Sequence, residues 1–274
     1  MNTAPTYFLG HADLEIERLQ LQAGVVGGIT RRLISECGIK PGMRALDIGC
    51  GAGDVSMLLA EAVGDGGSVV AFDREPRAIE VARGRALAAG YRQIEFVVAA
   101  DGAFPERPVF DAAIGRFVLI HQADPIVMIR RAAAAVRPQG VVAFHEPVIG
   151  VNAHTHTLPA VDLAVQSVRC LNSATHALLP HADVGSRLVA CFEEAGLPTP
   201  QLIWESIAGG PASPVWRWLA LTYRCTLPHM ARLGLKPADT GDPDTLADRL
   251  VAAAAAVRAQ IVSIPQACAW AIRP

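Results

Sequence analysis

Over the first 147 residues, short runs of consecutive apolar positions alternate with stretches in which apolar residues recur three and four apart. "RALDIG", residues 44–49, reads as a buried strand. The stretch after it places Val55, Leu58, Leu59 and Ala62 on one helical face. "GGSVVAFD" predicts a second strand ending at Asp73, then a helix from about Glu75 to Ala89 that stops at Gly90. "IEFVVA" and "FDAAIG" predict strands three and four. Asp124-Pro125 supplies an N-cap and a first-turn proline for a helix reaching Val136. "RPQG" then turns the chain into a fifth strand, "VVAFHE". Strands separated by helices of this length imply an α/β fold, a doubly wound parallel sheet with helices on both faces.

After Pro147 the pattern changes. Residues 150–160 are polar and carry histidines, and 161–179 read as helical. A short helix at 186–195 precedes "QLIWESIA", a strand. Residues 214–234 and 243–260 predict two more helices, the second opened by Asp242-Pro243, and "ACAWAIR" is a last strand. No internal repeat and no linker interrupts the pattern, so one domain over residues 1–274 is expected, its extra helices dressing the same sheet.

Composition narrows the function. Half the residues are apolar, 51%, and 18% are charged, which suits a well-buried enzyme. The formal charge is −2 and Lys and Arg form no basic block, so nucleic acid and membrane surfaces have no electrostatic support as partners. The six cysteines, at 37, 50, 170, 191, 225 and 268, form no CxxC pair. That argues against a zinc site or a disulfide framework and fits a reducing cytoplasm. The first twenty residues lack a signal-peptide pattern, and no stretch approaches the roughly 18 uncharged apolar residues of a membrane helix. A soluble, cytoplasmic chain is expected, monomeric or homodimeric.

The chemistry starts at "LDIGCGAGD". Gly49, Gly51 and Gly53 alternate between the first strand and its helix, where a ligand meets the carboxyl edge of the sheet and a helix N-terminus. Three glycines in five positions suit a backbone that something approaches closely. A dinucleotide fingerprint would need glycine or alanine at 54, but Asp54 stands there, and its carboxylate would repel a pyrophosphate. Asp47 inside the strand end is equally out of place for that fingerprint.

"LDIGCGAGD" resembles the first motif of class I S-adenosylmethionine-dependent methyltransferases, whose cofactor is a sulfonium cation without phosphate. "FDRE", "AADGAFP", "FDAAIGRFVLIHQADP" and "VRPQGVVAFHEP" resemble that family's later motifs in order, so the resemblance covers roughly residues 25–147. It implies a Rossmann-like, mostly parallel sheet and S-adenosylmethionine as cofactor, with S-adenosylhomocysteine as product. It implies that the three glycines line the cofactor. Asp73, with Arg74 beside it, would take the ribose hydroxyls, and Asp101, with Gly102, the adenine amino group. Asp47 would contact the ligand or tie down loop amides. Arg116 and His121 would lie near the donor methyl, and Tyr7, in an N-terminal lid over 1–24, would touch the methionine end. The core would be about 25–150 plus strands near 200–207 and 266–273. Segments of about 151–185 and 208–262 would form a helical substrate cap. The acceptor would be a small, largely apolar molecule, as in specialised-metabolite biosynthesis.

Methyl transfer needs a base only if the acceptor must lose a proton. Glu146, nearest the end of strand five, is the first candidate and His121 the second, while neighbouring His145 is expected to pack beneath a helix. His145-Glu146 lacks the second histidine of the HExxH zinc helix. His154-Thr155-His156 offers two imidazoles, but no third ligand is signalled and a solvated loop is the expectation, so no metal site is assigned. Of Trp216 and Trp218, which face different sides of one helix, at most one lines a pocket. The rival readings are a NAD(P)-dependent Rossmann dehydrogenase, against which Asp47 and Asp54 weigh, and a non-catalytic S-adenosylmethionine-binding protein.

Overall fold

In the computed structural model, which describes residues 13–99, 104, 108–150 and 156–274, the first element is a 24-residue helix, α1 (Asp13–Glu36). The sequence reading placed a boundary between lid and core at 24/25, and this helix runs straight across it. Gly24, Gly27 and Gly28 depress its intrinsic helix propensity. Burial of Val25, Val26, Ile29, Leu33 and Ile34 along one side overrides that cost, as tertiary packing commonly does.

The apolar runs that follow form β1 (Arg44–Ile48), β2 (Ser68–Asp73), β3 (Ile94–Val98), β4 (Phe110–Arg116) and β5 (Val136–Pro147). Between them lie α2 (Asp54–Val63), α3 (Pro76–Ala88) and α4 (Pro125–Ala135). Asp124 caps α4 as expected, its carboxylate accepting from the backbone N–H of Ile126 and Val127. The second half comprises β6 (Thr157–Leu158), α5 (Asp162–Leu178), α6 (Leu188–Glu194), β7 (Gln201–Glu205), β8 (Ala208–Gly209), α7 (Pro214–Arg232), α8 (Leu246–Val257), β9 (Gln260–Val262) and β10 (Gln266–Ile272).

Seven of these strands make one sheet in the order β3-β2-β1-β4-β5-β10-β7. The first five are mutually parallel, with Leu46 between Val70 and Ala113, and β10 runs antiparallel to both neighbours. Alternation along the strands sends side chains to two cores. Ala45, Val69, Ile114 and Ala143 pack with α1 and α2 through Ile29, Leu33, Leu59 and Val63. Leu46, Ile48, Ala113 and Phe144 pack on the other face with Met128, Ile129 and Phe192 from α4 and α6. The pattern implied a doubly wound parallel sheet and the resemblance a mostly parallel, Rossmann-like one, and this sheet is both.

Two features were not anticipated. The short strands β6, β9 and β8 form a second, antiparallel sheet in that order. The helices of the second half also join the middle of α1 in a core of their own, where Val25 and Val26 meet Trp216, Tyr223, Leu246 and Leu250.

The winding direction reverses between β1 and β4: β2 and β3 lie on one side, β5 on the other. At such a switch point the loops leaving the strands diverge and open a crevice at the carboxyl edge. That crevice sets where the site lies.

Candidate functional site

A cavity of about 200 Å³ fills this crevice. Its floor is the glycine loop, with Gly49, Cys50, Gly51 and Ala52 in the wall next to Asp54, and the end of β2 adds Asp73 and Arg74. The segment after β4 contributes Arg116, Phe117, Val118, Ile120 and His121. The roof comes from Arg18, Leu19 and Gln22 of α1, Thr175 of α5, Trp218 and Thr222 of α7, and Leu179 and Ile264.

The loop takes its shape from left-handed residues. Gly49 sits at φ 64°, and a Cβ there would stand 2.9 Å from Val118 Cγ2, so the floor and the segment after β4 touch. Gly51 sits at φ 51°, and a Cβ there would meet nothing within 4 Å among the described residues beyond its chain neighbours. The backbone itself is therefore the cavity surface at Gly51. Gly53 is placed differently: it precedes α2, packs against Ala82 and is not in the wall.

Asp73 fastens the loop to β2. One oxygen accepts from Gly51 N–H at 2.9 Å and the other from Glu75 N–H at 3.0 Å. Each carboxylate oxygen keeps a further lone pair for a ligand hydroxyl. Asp47 lies beneath the floor, 1% exposed. Its Oδ2 accepts from Ser56 Oγ at 2.5 Å, while Oδ1 is buried with no partner among the described residues. Burial pushes its carboxyl up to about 7, against the Ser56 hydrogen bond and nearby Arg116. Asp54 pairs with Arg85 at 2.6 Å, so its charge is partly met by the protein.

Arg116 donates to Thr30 Oγ1 at 3.3 Å, and Thr30 Oγ1 lies 3.1 Å from His145 Nδ1. His145 Nε2 lies 3.2 Å from Gln266 Oε1, and the ring is fully buried against α1. Burial and Arg116 pull His145 down to about 3.

Glu146 is not where a base is needed. It was expected at the open strand end, but it is fully buried, absent from the cavity wall and turned to the sheet face opposite His145. Its Oε1 accepts from the backbone N–H of Val118 and Leu119, at 2.9 and 2.8 Å, and Oε2 from Ile120 at 3.4 Å. These are the donors that open a 3-10 turn at Leu119–His121, which satisfies none of them itself. The carboxyl is thus a cap that shapes the segment carrying Ile120 and His121 into the wall. Burial outweighs the three hydrogen bonds and pushes it up to about 8.

His121 does line the cavity. Burial, with Arg74 and Arg18 nearby, lowers it to about 3, so its ring is neutral at ordinary pH and only weakly basic. Tyr7, Asp101 and Gly102 lie outside the described residues. Trp218 lines the cavity, whereas Trp216 is buried and donates Nε1–H to Gly210 O at 3.0 Å. The expected solvated loop is corrected at His156, which is 5% exposed with Nδ1 on Val262 O at 2.9 Å. Among the described residues no cluster has the makings of a metal site, and no helix is long and apolar enough to cross a membrane.

Several wall residues had no sequence signal assigned to them. Arg18 is 4% exposed and held by Glu15 at 2.6 and 2.7 Å and by Gln22 at 2.7 Å, a network within α1 whose i, i+3 and i, i+4 spacing is readable once the helix is known. Phe117, at φ 57°, is a left-handed non-glycine residue in the wall, and such strain clusters at functional sites.

These carboxyls and imidazoles give a sign to pH dependence. Asp47 and Glu146 hold protons in the folded state that the unfolded chain releases, so they lower stability as pH rises toward about 7 and 8. His121 and His145 act oppositely, but only between about 3 and their ordinary 6.5. Above 6.5 the imidazole contribution fades and the carboxyls dominate. Unfolding free energy of the ligand-free chain is expected to fall from pH 6.5 to 8, by about 1.4 kcal/mol per pH unit for each proton held only by the folded state. Urea unfolding at the two pH values checks this; equal stability would mean that both carboxyls are already ionised at 6.5.

The family described as a methyltransferase domain matches residues 39–196, more than half of the chain, and the chain belongs to it. Its family is that of the class I S-adenosylmethionine-dependent methyltransferases, whose cofactor is S-adenosylmethionine. Aklanonic acid methyltransferase DauC of Streptomyces sp. (strain C5) is 38% identical over 120 residues, 43% of this chain and 54% of that protein. The 2-phytyl-1,4-naphtoquinone methyltransferase of Synechococcus elongatus is 32% identical over 139 residues, 47% of this chain and 57% of that one. The chain thus spans little more than half the length of these curated relatives. Among solved structures, a Bacillus halodurans C-125 protein provisionally named a methyltransferase superposes with a TM-score of 0.59 at 18% identity. That match covers 89% of this chain and 98% of the other, and shows a shared fold.

The residues present fit this cofactor. A cation suits a floor with Asp47, Asp54 and Asp73 close by and one buried carboxylate oxygen unpartnered. A glycine backbone open to the cavity admits a ligand at close range.

Proposed function

We propose that this enzyme methylates a small, largely apolar acceptor held between the cofactor and the helices of the second half. The carrying observation is the two-sided cavity: glycine backbone and carboxylates below, and Trp218, Leu179 and Ile264 above. Such a roof suits an apolar body with few polar groups. Relatives named for aklanonic acid and for a 2-phytyl-1,4-naphtoquinone support the same class, and one named a ubiquinone biosynthesis O-methyltransferase supports a place in biosynthesis.

S-adenosylmethionine, when bound, supplies an activated methyl group on a positively charged sulfur. The residues proposed to hold it are Gly49 and Gly51 by backbone, Asp73 at hydroxyls, with Arg74 beside it, and Asp47 and Arg116 around the charged end. The chain's share of catalysis is then alignment and exclusion of water, supplied by the roof from α1, α5 and α7. Glu146 serves by shaping the wall, and His121 orients the acceptor as a neutral hydrogen-bonding ring. The one-domain organisation, with 151–185 and 208–262 as the acceptor-side cap and the N-terminal segment as a lid, is part of this proposal.

Calorimetry tests the cofactor half. S-adenosylmethionine and S-adenosylhomocysteine are expected to bind and NAD or NADP not to. Asp73→Ala is expected to weaken binding by about 1.5–3 kcal/mol through loss of charge-assisted bonds. Unchanged affinity in a folded variant would remove Asp73 from the site. Methyl transfer to nucleic acid, and to no small apolar compound, would overturn the acceptor half.

A further inference from the structure

A chain of hydrogen bonds runs from the cavity wall into the core and back to the roof, and the amide at its far end fixes its direction. Gln266 Nε2 donates to Ile264 O at 2.9 Å, so Oε1 is the atom that faces His145 Nε2 at 3.2 Å. An amide oxygen only accepts, so His145 carries its proton on Nε2 and its lone pair on Nδ1. Thr30 Oγ1, 3.1 Å from that lone pair, therefore donates to it, its alternative acceptor Val26 O being farther at 3.4 Å. The hydroxyl's one proton is then committed, and its oxygen is left to accept from Arg116 Nη1 at 3.3 Å. Thr30, His145 and Gln266 are all fully buried, and each is matched to the next.

Arg116 is the end of that chain in the wall. It is half-buried and lines the main cavity. Among the described residues Thr30 is its hydrogen-bond partner and no carboxylate forms an ion pair with it. None of its nitrogens is a buried atom without a partner, so those not bonded to Thr30 keep accessible surface. A role as counter-ion to the floor does not account for it. Asp54 is paired with Arg85 and Asp47 is hydrogen-bonded to Ser56, and both act on the Arg116 charge without contact.

We propose that Thr30 and His145 are positioning residues, which aim the Arg116 guanidinium at the carboxylate of the cofactor's amino-acid end. The proposal rests on the cofactor reading above and gives one group of that ligand its partner. The sulfonium and the ammonium at that end are cations that a guanidinium repels, and the carboxylate alone attracts it. A guanidinium held through Nη1 still offers Nε and Nη2 as a planar pair of donors for bidentate binding. Ordering an arginine side chain costs affinity when a ligand binds, and the bond to Thr30 removes part of that cost beforehand. His145 steadies the next wall residue as well: its carbonyl accepts Phe117 N–H at 2.8 Å, and its ring packs edge-on to Phe117 at 5.5 Å.

The test compares two ligands by calorimetry on the full chain. S-adenosylhomocysteine carries the carboxylate, and methylthioadenosine keeps the adenosine and the sulfur but lacks the amino-acid end. Arg116→Met is expected to weaken S-adenosylhomocysteine roughly 10–100-fold, and Thr30→Val at least about fivefold. Both variants are expected to bind methylthioadenosine within about twofold of wild type, and Thr30→Ser, which keeps the hydroxyl, to bind both ligands as wild type does. In the Arg116→Met background Thr30→Val is expected to cost nothing more, because Thr30 acts through the guanidinium. If Thr30→Val does not fold, His145→Phe takes its place with the same expected loss. Equal losses for the two ligands would make the chain a packing device alone and overturn the proposal. So would additive losses in the double variant, or unchanged S-adenosylhomocysteine affinity in Arg116→Met. A wild-type chain that binds neither ligand would strike the cofactor reading, and this proposal with it.

Discussion

Glu146→Ala is expected to lower the unfolding free energy by about 3–5 kcal/mol. The change strands the backbone N–H groups of Val118, Leu119 and Ile120, all of which now reach one fully buried carboxyl. An unsatisfied buried donor costs roughly 1–3 kcal/mol, and water entering the vacated space offsets part of the total. Against a typical stability of about 5–15 kcal/mol, this is a large fraction. Glu146→Gln keeps one accepting oxygen but brings an amide N–H toward donors, so its loss falls between wild type and alanine. Urea unfolding with the midpoint and slope both reported is the measurement. A stable Glu146→Ala protein with turnover down more than a hundredfold would restore Glu146 as the base and remove the cap.

The contrast between Glu146 and His145 shows where sequence reasoning stopped. Strand alternation separated the two residues to opposite sheet faces, and that separation is present. What alternation could not supply was the partner on each side. The turn at Leu119–His121 comes from a loop after a different strand, and its N–H groups reach Glu146 only through the β4–β5 pairing. The glycine turn and the Asp124 cap were legible because each depends on neighbours within a few residues, whereas the hold of Asp73 on Gly51 spans 22 positions of the chain and was not. The roof was not. Arg18, Thr175, Trp218 and Ile264 come from separate regions of the chain and meet only after α1 packs on α7. The glycines of α1 masked the helix itself, since local propensity argued against what burial of Val26 and Leu33 achieves. His156 was misread for a related reason. A histidine in a polar stretch reads as solvated until the β6–β9 pairing buries it.

Gly51→Val is expected to leave the fold standing and to cut S-adenosylmethionine affinity by at least about a hundredfold. The residue's φ of 51° strains any side chain, at about 1–2 kcal/mol, which a chain of ordinary stability survives. Among the described residues, no atom beyond the chain neighbours lies within 4 Å of the added Cβ, so the described fold has no clash to relieve. The new side chain instead occupies the floor of the cavity, where it overpacks against whatever binds there. Overpacking costs about 1–3 kcal/mol, and a branched side chain on a rigid turn lies at the upper end. Each 1.4 kcal/mol is a factor of about ten in affinity. Gly53→Ala is the matched control. Its Cβ would stand 3.0 Å from that of Ala82, outside the cavity wall, so its expected cost falls on stability and not on the affinity of the folded protein. Calorimetry and urea unfolding on both variants separate the two effects. Tight cofactor binding by a folded Gly51→Val protein would mean that the ligand does not approach this backbone at all, and the glycine loop would then be a turn and nothing more.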